Sequence, residues 1–315
     1  MHEDVIHDVQ PDYFGKRVAT ASSDKTVRIF ETTGEGQAPR LIATLSGGHE
    51  GPVWAVAWAH PKFGSLLASC GYDGRVIIWK ESAATGSHGK HAGSPSWAKL
   101  KEWRVEGGGS VNAVAWGPQE QGLVLAAAGS DGKASIYGYN PSENTWSTRQ
   151  FSAHVLGCNA VSFMPHNSSN LMNFVVGNEN RNGGGASSES TLKLVTGGSD
   201  NQVKVWTREV GGEEWKLEAT LSGHSDWVRD VSWCPGNASL IASGSQDRCV
   251  FLWRNTGGAN WAKTPLSADP FGETVWRVSW SVGGSLLAVA TGDNLITVWR
   301  EGLGGKWEQV NSISN

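Results

Sequence analysis

The sequence predicts an all-β fold made of six similar four-stranded units, and three observations support that prediction. An aspartate followed six positions later by an aromatic residue recurs six times. Between these two residues, β-forming side chains alternate with others in most of the copies. Gly and Trp are abundant, at 41 and 17 of 315 residues, which is typical of short strands, tight turns and bulky aromatic packing. The six pairs are Asp24/Phe30, Asp73/Trp79, Asp131/Tyr137, Asp200/Trp206, Asp247/Trp253 and Asp293/Trp299.

Each of these pairs marks one strand of a unit, and three more strands surround it. The strand that ends at the aromatic residue reads DGRVIIW in the second copy. A strand such as LLASCGY precedes the aspartate, and a strand such as VWAVAW lies further upstream and ends at another aromatic residue. A fourth strand, such as RLIATL in the first copy, follows after a loop of variable length. Each unit is therefore predicted to be a sheet of four strands.

The spacing of the units identifies the type of fold. Successive aspartates are 49, 58, 69, 47 and 46 residues apart. One blade of a WD-repeat β-propeller needs roughly 40–45 residues, so each unit is one blade with its loops. Two Gly/Ser/Asn-rich insertions, 81–96 and 166–190, account for the longer intervals. We predict one propeller domain, 1–315, with blade cores at about 2–46, 47–106, 107–152, 153–222, 223–267 and 271–315.

A polar set recurs with the blades and is predicted to be structural. It combines a turn histidine, a hydroxyl in the second strand, the repeated aspartate and the aromatic residue. A partly buried aspartate needs hydrogen-bond partners to offset its loss of water. The predicted tetrads are His49, Ser69, Asp73 and Trp79; His154, Thr196, Asp200 and Trp206; His224, Ser243, Asp247 and Trp253; and a looser set, His2, Thr20, Asp24 and Phe30. Blades 3 and 6 have Ala127 and Val289 at the hydroxyl position.

One stretch, His224-Ser225-Asp226, contains the three residue types of a hydrolase triad. Catalysis would require a single site with a nucleophile, a base and an oxyanion hole. The histidine instead belongs to a set repeated in several blades, and no G-x-S-x-G elbow lies nearby. We therefore expect no enzyme, with no catalytic, metal-binding or cofactor-binding residues and no cofactor. The HGKH stretch at 88–91 and the sequons at Asn167 and Asn237 are interpreted as a solvated loop and as chance matches.

Composition constrains the partners and the compartment. The formal net charge of −4 and the pI near 6.1 argue against nucleic acid as a primary partner. The opening MHEDVIHDVQ lacks the features of a signal peptide, and no run of about 18 apolar residues occurs, so no membrane insertion is expected. Cys70, Cys158, Cys234 and Cys249 have no CxxC spacing, which favours reduced thiols in the cytosol or nucleus.

The register of the first and last strands predicts how the blades close. DVIHDVQ opens a blade and GKWEQVNSI completes one, so no strand is left to clasp the ends. An uncovered strand edge with an apolar face associates with other chains. We therefore predict an open propeller, completed by a partner that adds a blade between blades 6 and 1; a closed six-bladed ring is the alternative. The predicted seam residues are Val5, Ile6, Val9, Val18, Val27, Ile29, Val275, Trp276, Val278, Leu286, Leu287 and Val298.

Several segments resemble the small WD-repeat subunit of the COPII outer coat, the Sec-thirteen family. They include HEGPVWAVAWAHPKFGSLLASCGYDGRVIIWKE (49–81), HSDWVRDVSWCP (224–235) and GDNLITVWRE (292–301). The resemblance implies an open six-bladed propeller completed by a blade from an α-solenoid partner. That partner would be the long COPII outer-coat subunit or a nucleoporin of the Y-shaped nuclear pore scaffold. It also implies residence at endoplasmic reticulum exit sites, on COPII vesicles and at the nuclear envelope.

Two alternatives stay open on the sequence alone. One is a nuclear-pore-restricted relative, which would also be an open propeller. The other is a peptide-reading adaptor, such as a ligase substrate receptor, which would need a compact set of charged or aromatic residues on its surface.

Overall fold

The computed structural model describes residues 2–34, 37–82, 96–105, 107–166, 191–209, 212 and 214–314. Within these ranges the chain forms 24 strands and two short 3-10 turns, Pro61–Phe63 and Gln119–Gln121. The HGKH stretch, Asn167 and almost all of both insertions lie outside the described residues. Asn237 is described, and its side-chain oxygen accepts a hydrogen bond from the backbone N–H of Ser239 at 2.9 Å.

The strands follow the predicted order in every blade. Blade 1 contains β1 (Ile6–Pro11), β2 (Arg17–Ser22), β3 (Val27–Glu31) and β4 (Arg40–Leu45). Blade 2 contains β5 (Val53–Trp58), β6 (Leu66–Gly71), β7 (Arg75–Ser82) and β8 (Ser96–Arg104). Blade 3 contains β9 (Val111–Trp116), β10 (Val124–Gly129), β11 (Lys133–Asn140) and β12 (Thr145–Ser152).

The second half of the chain repeats the pattern. Blade 4 contains β13 (Cys158–Phe163), β14 (Thr191–Gly198), β15 (Gln202–Glu209) and β16 (Lys216–Ser222). Blade 5 contains β17 (Val228–Trp233), β18 (Leu240–Ser245), β19 (Val250–Gly257) and β20 (Asn260–Pro265). Blade 6 contains β21 (Val275–Trp280), β22 (Leu286–Thr291), β23 (Leu295–Glu301) and β24 (Trp307–Ser314).

Each blade is one four-stranded sheet whose strands pair in chain order. All the pairings for which a register is given are antiparallel, for example Ser69↔Ile77 in blade 2. Consecutive strands can pair this closely because short turns join them. The all-β fold of six four-stranded blades is therefore confirmed, and the four strands of each sheet lie within one predicted blade core.

The chain divides into two compact units, 1–160 and 161–315, and the boundary falls within β13. In the first unit, a cluster around Val27, Ile29, Leu67 and Ile77 joins blade 1 to blade 2. The opposite side of blade 2 packs against blade 3 in a second cluster. In the second unit, a similar cluster joins blade 5 to blade 6. β6, β10 and β18 are buried at every residue, since they lie inside sheets covered on both faces.

First-strand tryptophans tie neighbouring blades together by hydrogen bonds. The indole N–H of Trp58 donates to the carbonyl of Gln10 at 3.0 Å. Trp116 donates to Ala57 in the same way at 2.9 Å. In the second unit, Trp280 donates to the carbonyl of Ser232 at 3.0 Å. A buried indole N–H needs such a partner, so these tryptophans connect the blades as well as filling space.

Candidate functional site

The predicted tetrad of blade 2 is assembled at hydrogen-bond distances. His49 Nε2 lies 2.8 Å from Ser69 Oγ, and His49 Nδ1 lies 3.1 Å from Asp73 Oδ1. The indole N–H of Trp79 donates to Ser69 Oγ at 2.8 Å. Ser69 is completely buried, and the side chains of His49 and Asp73 are nearly so. The four residues therefore connect the turn entering the blade to its second and third strands.

Blade 5 contains the same arrangement. His224 Nε2 lies 2.8 Å from Ser243 Oγ, and Nδ1 lies 2.9 Å from Asp247 Oδ2. Trp253 donates its indole N–H to Ser243 Oγ at 2.8 Å. The histidine thus contacts residues of the second strand and the following turn, and the adjacent Ser225 contributes a backbone N–H to Asp247.

One order of protons satisfies every group in these tetrads. The tryptophan N–H occupies one lone pair of the serine oxygen, so the serine hydroxyl proton can be donated to histidine Nε2. A neutral histidine protonated at Nδ1 then donates to the aspartate. This tautomer is assigned from the network. The serine hydroxyl acts as both donor and acceptor within the tetrad, so these residues hold the blade together.

The aspartates stay ionised in this setting. Burial by itself raises the pKa of Asp73, but hydrogen bonds from His49 and from the backbone N–H of Glu50 outweigh it and lower the pKa to about 2. In blade 5 the pKa of Asp247 is likewise lowered against the effect of burial, chiefly by the hydrogen bond from His224. The folded state therefore prefers these carboxylates without a proton.

Acid should weaken the fold through Asp73. Because the pKa of Asp73 is lower in the folded than in the unfolded state, its contribution is complete above about pH 4 and is lost as the pH falls towards 2. We expect this loss to be about 2 kcal/mol. Urea unfolding between pH 5 and pH 2 should therefore be less pH-dependent in Asp73→Asn than in the wild type. Asp131→Asn is the control, because Asp131 has the same turn position but no histidine partner; equal pH profiles for wild type and Asp73→Asn would contradict the assignment.

Blades 1 and 4 contain related sets. In blade 1, His2 Nδ1 lies 2.8 Å from Asp24 Oδ2 and Nε2 lies 2.6 Å from Thr20 Oγ1. Phe30 cannot donate to the threonine as tryptophan does, so this set is a triad with an aromatic neighbour.

In blade 4, Trp206 donates to Thr196 Oγ1 at 3.0 Å. Asp200 accepts from Lys204 Nζ at 3.3 Å. His154 is buried in the first unit, and its membership of the blade 4 tetrad stays a prediction.

In blades 3 and 6 the second strand lacks the hydroxyl, and the paired residue of the third strand supplies it. Ala127 pairs with Ser135 of the third strand, and the hydroxyl of Ser135 is hydrogen-bonded to Tyr137. Val289 pairs with Thr297, whose Oγ1 accepts the indole N–H of Trp299 at 2.8 Å. Both substitutes are buried and lie two residues before the aromatic residue. That spacing is visible in the sequence, but a pattern that requires the hydroxyl in the second strand does not include it.

The repeated aspartate has a second role that does not need the histidine. Its carboxylate accepts the backbone N–H two residues later, as in Asp73 to Arg75 and Asp131 to Lys133, both at 3.1 Å. The residue between them has a positive φ in all six blades: Lys25, Gly74, Gly132, Asn201, Arg248 and Asn294. An aspartate stabilises such a turn through this local hydrogen bond, which explains the presence of Asp131 in blade 3, where the tetrad is incomplete.

The described part of the chain holds no group of three or more His, Cys, Asp or Glu side chains arranged to bind a metal ion. In the same ranges, no helix is long and apolar enough to cross a membrane.

Blade 1 has an apolar face turned away from blade 2. We call this the outer face of blade 1, and it comprises Val9, Val18, Phe30 and Leu41. These side chains share one side because Val9 pairs with Thr20, and Phe30 pairs with both Val18 and Leu41. Val9 is 54% exposed and Leu41 is 44% exposed.

Blade 6 has a comparable face turned away from blade 5. Its outer face comprises Leu286, Ala288, Ile296, Val298 and Ile313. Ala288 pairs with Val298, and Ile296 pairs with Ile313. Ile296 is 41% exposed and Ile313 is 54% exposed. The two isoleucines therefore lie side by side on adjacent strands, and both are open to solvent.

Six of the predicted seam residues face the neighbouring blade and do not lie on the outer faces. Strand alternation turns Val27 and Ile29 towards blade 2, where both are fully buried. It turns Val275, Val278 and Leu287 towards blade 5. Trp276 contacts Arg229 of blade 5 instead of lying on the outer face of blade 6.

For the other six seam residues, contact with a partner stays a prediction. Val9, Val18, Leu286 and Val298 lie on the outer faces, and Val5 and Ile6 are exposed at the start of blade 1. Sequence reasoning missed Leu41, Ile296 and Ile313. For Ile296 the sequence does contain a signal. Ile296 lies three residues before Trp299 in the same strand, and residues an odd number of positions apart face opposite sides of the sheet.

The repeated blades and their tetrads define a WD-repeat protein. Residues 1–31, 39–80, 146–207, 215–254 and 266–300 match the WD40 family (WD domain, G-beta repeat). The chain is 42% identical to protein transport protein SEC13 of Mycosarcoma maydis, over 100% of this chain and 93% of the relative. It is 42% identical to protein transport protein sec13 of Emericella nidulans, over 99% and 96%, and 43% identical to SEC13 of Cryptococcus neoformans var. neoformans, over 100% and 96%. The chain therefore belongs to the Sec13 family, as the sequence resemblance predicted.

Proposed function

We propose that this protein is a structural subunit of the protein transport machinery, acting in the COPII coat that moves cargo from the endoplasmic reticulum. The coarser part of this proposal, a role in protein transport, is supported by the names of its full-length relatives. The finer part depends on one observation, the exposed apolar outer face of blade 6. In this proposal the chain works by binding another protein, and it carries no reacting group of its own.

The partner in this proposal is an α-solenoid protein that contributes a seventh blade. Its strands would cover the outer face of blade 6, where Ile296 and Ile313 are exposed. Burial of apolar surface contributes about 25 cal/mol per Å², so covering these side chains would favour a stable complex. The same surface would receive a nucleoporin with a similar inserted blade in the nuclear pore scaffold.

The tetrads and the tryptophan bonds between blades give this role a physical basis. A subunit that braces a coat must resist deformation, and each tetrad connects a loop to two strands through buried hydrogen bonds, which hold buried structure in one arrangement. We place the protein at endoplasmic reticulum exit sites and COPII vesicles, with a second population at the nuclear envelope.

Co-purification tests the proposal. The tagged full chain is expressed in its native cell, and the proteins that purify with it are identified by mass spectrometry. We expect a large α-solenoid chain in equal molar amount, and we expect the isolated chain to self-associate when this partner is missing. A chain that purifies alone as a monodisperse monomer, with no stoichiometric partner, would refute the proposal.

A further inference from the structure

A second surface of the second unit lies at the starts of blades 5 and 6, away from the outer face of blade 6. There the guanidinium of Arg229 lies between two indole rings. Its central carbon is 5.0 Å from the ring centroid of Trp227 and 4.7 Å from that of Trp276. Both distances are within the range of a cation–π contact. The two tryptophans are 43% and 49% exposed, so solvent reaches part of each indole.

The arginine in this stack has no acidic partner. Its Nη2 donates to Gln246 Oε1 at 2.6 Å, and its Nε is buried without an acceptor in the described part of the chain. Within those same ranges no carboxylate oxygen lies within 4.0 Å of the guanidinium, whereas Arg17 and Arg75 contact Glu81 and Glu102 at 2.8 and 3.3 Å. Burial lowers the pKa of Arg229, and the charge of Asp226 opposes that effect.

The tryptophans also keep unused hydrogen-bonding capacity. Neither the indole N–H of Trp227 nor that of Trp276 donates to an acceptor among the described residues, although many buried indoles of the chain do so. The surface therefore presents an arginine without an acid and two indole donors, flanked by flat apolar rings. Its chemical complement is a carboxylate joined to apolar groups. Asp226 lies beside this surface, and its Oδ1 accepts the backbone N–H of Trp227.

We propose that the surface formed by Trp227, Arg229, Gln246 and Trp276 binds an acidic peptide segment of another protein. An Asp or Glu side chain of the segment would pair with Arg229, and a neighbouring apolar side chain would pack on Trp276. Trp and Arg are the residues that most often dominate the binding energy of protein interfaces. Because the net charge of the chain is −4, recognition would depend on contact and not on long-range attraction. This inference does not depend on the proposed α-solenoid partner, which uses other surfaces.

Peptide selection tests the inference. The full chain is held sparsely on beads through a biotin tag, and short random peptides displayed on phage are selected against it. Enriched peptides are synthesised, and their dissociation constants are measured by fluorescence anisotropy. We expect Asp or Glu to be enriched, and we expect Arg229→Gln to weaken binding at least about tenfold, as for loss of a charge-assisted hydrogen bond. Arg229→Lys should weaken binding less, since it keeps the charge.

The controls separate binding from folding. Arg254→Gln removes an arginine at the other end of the blade 5 sheet, where it pairs with Glu301 at 2.7 Å, and it should leave peptide binding unchanged. Trp276→Leu removes an exposed ring and should weaken binding even if Arg229→Gln fails to fold. Enrichment of peptides without acidic residues, equal binding by Arg229→Gln, or an empty selection would each overturn the inference. None of these results bears on capture of the α-solenoid partner.

Discussion

Replacing Ser69 by alanine is expected to lower the free energy of unfolding by about 3 kcal/mol, although the change removes a single oxygen atom. The hydroxyl of Ser69 serves both His49 and Trp79 at 2.8 Å, and it is completely buried. Its loss leaves two buried polar groups without partners, and each such group costs about 1–3 kcal/mol. Urea unfolding followed by circular dichroism at low protein concentration measures the effect.

Two variants serve as controls for Ser69→Ala. Ser69→Thr keeps the hydroxyl, and Thr196 already holds the same position in blade 4, so it should lose much less stability than Ser69→Ala. Ser147→Ala removes the hydroxyl of an exposed strand residue that donates to Gly138 at 3.2 Å, and it should change stability little. If Ser69→Ala and Ser147→Ala have similar stability, the tetrad does not stabilise the blade.

Introducing aspartate at both Ile296 and Ile313 is expected to reduce capture of the partner at least about 100-fold, since central apolar anchors of an interface contribute about 2 kcal/mol or more each. The two side chains are adjacent on the outer face of blade 6 and are exposed. Covering two carboxylates with apolar strands would require their desolvation, which is costly. Quantitative pull-down with the purified partner measures the loss.

The matched control places the same charges elsewhere in the same unit. Val282 is 94% exposed and Leu303 is fully exposed, and neither belongs to the outer face of blade 6. Val282→Asp combined with Leu303→Asp should capture the partner normally. If the two double variants lose the partner equally, or if the outer-face variant keeps it, the partner does not bind through this face.

The fold could be predicted from the sequence because particular residue types mark the turns and strands of each blade. An aspartate six residues before an aromatic side chain marks the same turn and strand in every copy, and the structure places a positive-φ residue directly after each of these aspartates. The tetrads of blades 2 and 5 could be predicted for a similar reason. Each requires particular functional groups at fixed positions, so His49, Ser69 and Asp73 were recognisable before their distances were known.

The rest depended on register and on contacts between blades. Ser135 and Thr297 supply their hydroxyls from the third strand, whereas the second strand was expected to supply them. The pairing of Ala127 with Ser135 depends on the register of the two strands, which the structure shows. The predicted seam contains residues from both faces of each strand, and some of them, such as Ile29, face the neighbouring blade. Arg229 and Trp276 lie in the first strands of two different blades and contact each other. No local sequence pattern predicts this contact.

The tryptophan bonds between blades also bear on how this chain folds during its own synthesis. The indole N–H groups of Trp58 and Trp280 each donate to a carbonyl of the preceding blade, and both bonds join residues 48 positions apart. The backbone N–H of Val56 bonds to Asp8 across the same interval. Contacts of such modest sequence separation form early and at low entropic cost. As the chain leaves the ribosome, the opening strands of blades 2 and 6 therefore meet a preceding blade that has already been synthesised, and we expect each of them to dock onto it.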